Sequence, residues 1–172
     1  MGDALLVYGA AYDDVGEAMK DFADIKAMWG DKEIGDYDGA ILTKEPSGML
    51  ILTNADSSGR FKSTFKGLFV GAVLGVVFPP SVLGMAALGA GAGAITGKAK
   101  RHLDRTDFKS LGDLLEPGES GILLVTTRVS DWAAPKVLSR AKRHKSIEVE
   151  GDAEAIIAAV RAEAEGSGGG AG

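Results

Sequence analysis

Residues Gly67 to Gly97 read GLFVGAVLGVVFPPSVLGMAALGAGAGAITG, 31 consecutive residues without a charge. Gly67, Gly71 and Gly75 recur every four residues before Pro79 and Pro80, and Gly89, Gly93 and Gly97 do the same after them. At helical spacing the glycines of each arm fall on one face, where two backbones can approach closely. Leu68, Phe69, Val73 and Val76 lie on the opposite face of the first arm, and Leu83, Leu88 and Ile95 on that of the second. Pro80 donates no backbone hydrogen bond and biases Pro79 out of the α region. The spacing therefore predicts a helical hairpin turning at Pro79 and Pro80.

Six glycines, at roughly 1 kcal/mol each against alanine, penalise such helices in water. Close packing or lipid removes much of that penalty, because a desolvated backbone favours its internal hydrogen bonds. The arms are short: about 18 Å from Gly67 to Phe78 and about 25 Å from Ser81 to Gly97, against roughly 30 Å of hydrocarbon. Extending the first arm back to Phe61, with Lys62 and Lys66 reaching to the interface, gives about 27 Å. Two settings fit this pattern: a spanning, re-entrant or shallow membrane hairpin, and a glycine-rich helix pair bundled inside a soluble homo-oligomer.

Charge is distributed around this run. Residues 60 to 105 hold Arg60, Lys62, Lys66, Lys98, Lys100, Arg101 and Arg105 against Asp104 alone, a net of +6, which leaves −11 for the rest of a chain whose total is −5. A turn brings both basic ends to one side as a collar that suits the cytoplasmic face and anionic headgroups, at about 1 kcal/mol per charge. Any apolar insertion also needs soluble flanks, so the collar fits either setting. The expected partners are a second copy of the chain and anionic membrane lipids. Nucleic acid is not expected, since the body is acidic and few aromatic residues alternate with the basic ones. The amino terminus MGDALLVYGA lacks the basic start of a signal peptide, which favours a cytoplasmic protein or one attached to the membrane from that side. The absence of cysteine excludes disulfides, thiolate metal sites and cysteine nucleophiles.

Outward from the hairpin, periodicity predicts a strand over Asp3 to Tyr8. A helix follows, opened by Asp14 with Glu17 and carrying Val15, Met19, Phe22, Ile25 and Trp29 to Gly30. Strands over Ile34 to Lys44 and Met49 to Thr53 flank a turn at Glu45–Gly48. After the hairpin, Asp107 caps a short helix bearing Phe108, Leu111, Leu114 and Leu115, stopped by Pro117 and Gly118. Ile122 to Thr127, the most apolar strand, belongs at the centre of a sheet. A helix opened by Ser130 or Asp131, with Trp132, Val137, Leu138 and Ala141 inward, a strand Ile147 to Val149, and a helix capped by Asp152 with Ile156, Ile157 and Val160 complete the domain. This order predicts an α+β fold, a ferredoxin-like split βαβ sandwich with one extra strand. It gives one domain over residues 1–165, interrupted at 61–100 by the hairpin, and a disordered Gly/Ser tail over 166–172. The helices cover one sheet face, leaving the other to a partner subunit, the carboxy-terminal helix or the hairpin.

The hairpin glycines followed by DFKSLGDLLEPGESGILLVTT resemble the domain-of-unknown-function family numbered 1269. The residues that carry the resemblance are those glycines, Phe108, Leu111, Leu114, Pro117, Gly118 and Ile122 to Val125, and it extends from about Leu5 to Val160. The family is prokaryotic, its members combining a small α+β domain with a glycine-rich apolar hairpin and often being labelled membrane proteins. The resemblance supplies no reaction and no catalytic residue.

Elementary site chemistry is equally sparse. His102 and His144 lack a carboxylate pair at ligand spacing, and no local geometry builds a triad from His102, Asp104 and a serine. Gly97-Lys98 is not followed by serine or threonine, so no phosphate loop is readable. Asp13 and Asp14 read as a helix cap, and Asp36 and Asp38 as a turn or exposed strand face. No catalytic, cofactor-binding or metal residue is assigned, and no cofactor is expected. The expectation is a non-enzymatic, membrane-associated, self-assembling protein, with a soluble shell or stress-related oligomer as the alternative. A third possibility is a small-ligand or enzymatic module on the open sheet face, marked by a polar, partly buried pocket with perturbed titratable groups.

Overall fold

The apolar run that follows the Pro-Gly stop forms the middle of the molecule. A computed structural model of the chain describes residues 4–62, 68–78, 82, 110–127, 129–130, 133–149 and 151–169. In it β1 (Leu5–Tyr12), β2 (Tyr37–Lys44), β3 (Leu50–Ser57), β4 (Ser120–Thr126) and β5 (Arg143–Val149) form one antiparallel sheet in the order β3-β2-β4-β1-β5. All seven residues of β4 are buried, as expected of a strand with neighbours on both edges and layers on both faces. The α+β class expected from the order of elements is the class observed. β1 and β2 each run antiparallel to β4, so the strands joined by the first helix lie parallel with β4 between them.

That helix, α1 (Val15–Gly30), is capped by Asp14, whose carboxylate accepts from the Gly16 amide at 2.6 Å. It lies on the sheet through Ala18, Phe22, Ile25 and Met28, and the missing Cβ of Gly39 makes room for the Phe22 ring. This corrects the expected apolar face, because Val15, Met19 and Trp29 are exposed. Small Ala18 lets the helix approach closely along a line displaced from them, and the Trp29 indole donates instead to Asp36 at 3.1 Å. Glu17 does not complete a capping box; it pairs with Lys20 and Arg140.

Residues 133–141 cover the same face beside α1, yet not as the expected helix. They form successive turns, with Ala133 and Ala134 donating to the Ser130 carbonyl. Pro135 has no amide to donate and Leu138 sits at φ 60°, two local reasons for the helix not to propagate. Asp131 and Trp132 lie outside the described residues.

The opposite face is covered by α2 (Leu68–Val77), the first arm of the glycine-rich run, together with α3 (Ala153–Gly169). Of the three coverings expected for this face, two are present together. Asp152 caps α3 through the Ala155 amide at 3.1 Å, and Ile156, Ile157 and Val160 are buried as expected. α3 runs to Gly169, four residues into the Gly/Ser stretch.

Strand ends also differ from expectation. β2 begins at Tyr37, and Ile34 makes an isolated bridge to Val129 instead. Asp36 between them is engaged elsewhere: its carboxylate accepts from the Arg60 amide at 3.0 Å. The β2–β3 turn closes as read, with Glu45 donating to the Met49 carbonyl and Gly48 at φ 92°.

Candidate functional site

The structure puts its most unusual polar contact where the apolar run meets the sheet. Six consecutive residues of β2, Tyr37 to Leu42, are buried, and Asp38 among them is 0 % exposed. A carboxylate there is stable only with strong partners. Asp38 Oδ2 accepts from the amides of Phe69 and Val70, both at 2.9 Å, within the first turn of α2. The negative charge thus sits at the positive end of the helix and satisfies two donors that have no intrahelical acceptor. The reading of Asp38 as a turn or exposed strand residue is corrected: it is the internal cap of the first arm.

Burial of α2 is nearly complete around its circumference. Phe69, Val70, Ala72, Val73 and Leu74 are each at most 2 % exposed, against Ala40, Leu42, Leu123 and Val125 of the sheet in one core with α3. Phe69 also meets Phe61 edge to face, with ring centroids 4.9 Å apart at 89°. A helix apolar on all sides needs this enclosure. The first arm does not extend as one helix back to Phe61, because Lys62 is extended at ψ 126° and the Asp38-bound amides mark the start of α2. Phe61 instead ends a single 3-10 turn, Gly59–Phe61, and is buried in the core.

Beyond Leu74, glycines again decide the packing. A Cβ on Gly9 would come within 2.9 Å of Leu111 Cδ2, and one on Gly121 within 2.8 Å of the Ala10 carbonyl. These two bare positions on adjacent strands admit Leu111, Leu114 and Leu115. Between them and Leu74, Val77 and Phe78 remains a cavity of about 40 Å³. That space admits water, and among the described residues it is far smaller than the roughly 300 Å³ or more of a small-molecule site.

Of the residues expected to pack helices, Gly71 is buried and Gly75 half-buried in α2, while Gly67, Gly89, Gly93 and Gly97 lie outside the described residues. So do the turn prolines Pro79 and Pro80, and Lys66, Lys98, Lys100, Arg101 and Arg105 of the basic collar. The two described collar residues differ. Arg60 pairs with Asp36 and with Glu154 at the start of α3, whereas Lys62 is exposed and its carbonyl accepts from Arg161. Arg60 therefore ties the entry of the apolar run to the carboxy-terminal helix.

Two further buried acids escaped the sequence reading. Asp21 on α1 accepts from the Tyr12 hydroxyl at 2.8 Å and pairs with Arg140 at 2.6 Å, fixing the turns of 133–141 to the helix. Burial, then the bond to Asp21, pushes the Tyr12 phenol well above its ordinary range. Glu119, just before β4, pairs with Lys142 at 2.9 Å and with Arg143. Burial would raise its carboxyl, but the Glu116 amide and these two cations hold it below the ordinary range. Among the described residues no group of three or more His, Cys, Asp or Glu is placed to hold a metal.

The chain matches the family described as "Protein of unknown function (DUF1269)" over residues 64–154, just over half its length. It belongs to that family. The matched span starts four residues before α2 and ends at Glu154, the partner of Arg60, so it contains the capped arm, β4 and β5 but not β1 to β3. No curated protein and no solved structure matches this family member.

Proposed function

We propose that this chain is a non-enzymatic, self-assembling, membrane-associated protein, in which the α+β body carries the uncharged run and residues 79–97 of that run meet lipid or the equivalent segment of another copy. The observation that supports this reading is the docking of α2. Its N-terminus is capped by buried Asp38, and Phe69, Val70, Ala72, Val73 and Leu74 are enclosed by the protein's own sheet and α3. The first arm then serves as an internal anchor, and the 19 uncharged residues 79–97, with GxxxGxxxG and basic residues from Lys98 onward, are the part of the run suited to an external apolar contact. Flotation tests the membrane half: untagged protein mixed with anionic and with neutral vesicles is expected to rise with the anionic ones. Protein that stays at the bottom of the gradient with both removes it.

A specific observation favours a second reading, a soluble homo-oligomer. α2 is packed in protein rather than facing outward, and among the described residues no helix is long and apolar enough to cross a membrane. Light scattering after size exclusion in detergent-free buffer separates the two. A discrete oligomer supports the soluble assembly, and aggregation reversed by detergent supports the lipid contact. The finer ferredoxin-like reading of the fold stands with these proposals, supported by the placement of β4 between β1 and β2.

A further inference from the structure

On the α1 side of the sheet, the cover stops short of β5, whose residues His144, Ser146 and Glu148 are exposed on that face. A groove of about 360 Å³ lies there, between β1 and β5 below and residues 134–141 above, lined by Tyr8, Val137, Leu138, Ser139, His144 and Ser146 among others. Its size is that of a small-molecule site. Tyr8 and Ser146 are direct cross-strand partners, and His144 is the next position on the same face of β5, so the three residues share the floor of the groove. Val137 and Leu138 belong to the core and give an apolar wall. Leu138 holds that wall in a left-handed conformation, φ 60°, at 3 % exposure, a strain that persists only where the surroundings fix it. They do so here: Arg140 is bound to Asp21 and Asp24, and the Lys142 amide donates to the Ala11 carbonyl at 2.8 Å.

The charge around the groove limits what can occupy it. Three nearby cations are turned to carboxylates elsewhere: Arg140 to Asp21 and Asp24, Lys142 to Asp13 and Glu119, Arg143 to Glu119. Among the described residues no lysine or arginine lines the groove, and the exposed Glu148 lies on the same face of β5. A phosphate or carboxylate would find no lysine or arginine among the described residues of the lining. Tyrosine and serine hydroxyls, by contrast, each donate and accept. Such a floor fits the mixed donor–acceptor edge of a heteroaromatic base and the hydroxyls of a sugar. The geometry points to a binding site for an uncharged heteroaromatic ligand of nucleoside size, its flat apolar face on Val137 and Leu138 and its polar edge on Tyr8, His144 and Ser146. A tyrosine of ordinary pKa is already an O–H donor at neutral pH, and burial raises the Tyr8 phenol further.

Adenosine and AMP are the probes, titrated to millimolar concentration into the full chain while amide resonances are followed by NMR. Adenosine is expected to give saturable shifts centred on Tyr8, Leu138, Ser139 and Ser146, with AMP binding more weakly. Tyr8→Phe removes one hydroxyl and is expected to weaken adenosine roughly three- to tenfold. Should that variant fold poorly, Ser146→Val on exposed β5 tests the same polar edge. Absent or non-saturating shifts, shifts centred elsewhere, AMP binding as tight as adenosine, or a folded variant of unchanged affinity would each overturn the proposal.

Discussion

Asp38 shows how a single side chain fixes the fate of a long apolar run. Its carboxylate bonds two amides of α2 while itself fully buried, so removing it leaves those donors without an acceptor. Asp38→Ala is expected to lower stability by about 1–3 kcal/mol in a urea titration, and Asp38→Asn, which keeps an acceptor oxygen, by less. An alanine variant as stable as the parent would show that α2 is not held by this cap. Glu119 makes the complementary case at the edge of β4. Its carboxyl is held below the ordinary range despite burial, and Asp36 and Asp56 are shifted the same way by Arg60 and Trp29, and by Tyr37 and Lys26. A carboxylate depressed in the folded state contributes in full above its unfolded value near 4, and that contribution disappears as pH falls through the lower folded value. The urea midpoint is thus expected to be flat from about pH 7 to 5 and to fall below about pH 4. In Glu119→Gln the fall should be shallower, from a plateau lower by about 1–2 kcal/mol, because both of its cations keep much of their surface in water, 41 % and 33 %.

Among the elements, the end of α1 separates what composition shows from what geometry requires. Gly30 reads as a helix stop, yet it is the last helical residue, and the left-handed position is Lys32 at φ 62°. The Lys32 amide donates to the Trp29 carbonyl at 3.1 Å and the Glu33 amide to Met28 at 2.8 Å, the paired bonds of a Schellman ending. Glycine therefore stands two positions before the place that favours it. Lys32→Gly is expected to stabilise the protein by about 1 kcal/mol. Gly30→Ala, whose added Cβ meets nothing within 4 Å, should add a similar amount through helix propensity. A thermal melt in which the double variant unfolds no higher than the parent would contradict this ending. Much of the element order was legible because β4 is an unbroken apolar run after the Pro117-Gly118 stop, and α1 and α3 open at clear caps, Asp14 and Asp152. The turns of 133–141 were not, since apolar spacing at Val137, Leu138 and Ala141 imitates a helix while Pro135 and the Leu138 backbone defeat it. Asp38 and the groove beside Tyr8 were equally hidden, because each depends on which strands become neighbours, and periodicity within one segment carries no such information.

For the whole molecule, the apolar run divides at Phe78 into an arm that belongs to the core and a remainder defined by sequence alone. α2 supplies Phe69, Val70, Ala72, Val73 and Leu74 to the core of one sheet face. Deleting residues 67–97 behind a short Gly-Ser bridge would expose Ala40, Leu42, Leu123 and Val125 to water, whereas deleting 79–97 leaves every one of these contacts in place. Large apolar losses of this kind cost several kcal/mol, enough to unfold a marginally stable domain. The longer deletion is therefore expected to lose its cooperative unfolding transition and bind a hydrophobic dye. The shorter one should keep the parent's transition. Vesicle flotation and oligomer size then report on residues 79–97 without interference from an unfolded body. If the 79–97 deletion is folded yet floats and assembles like the parent, the external contact lies elsewhere on the molecule. If it remains folded and monomeric in the soluble fraction, the second half of the run is what brings copies together or to lipid, and α2 is the root that holds it to the sheet.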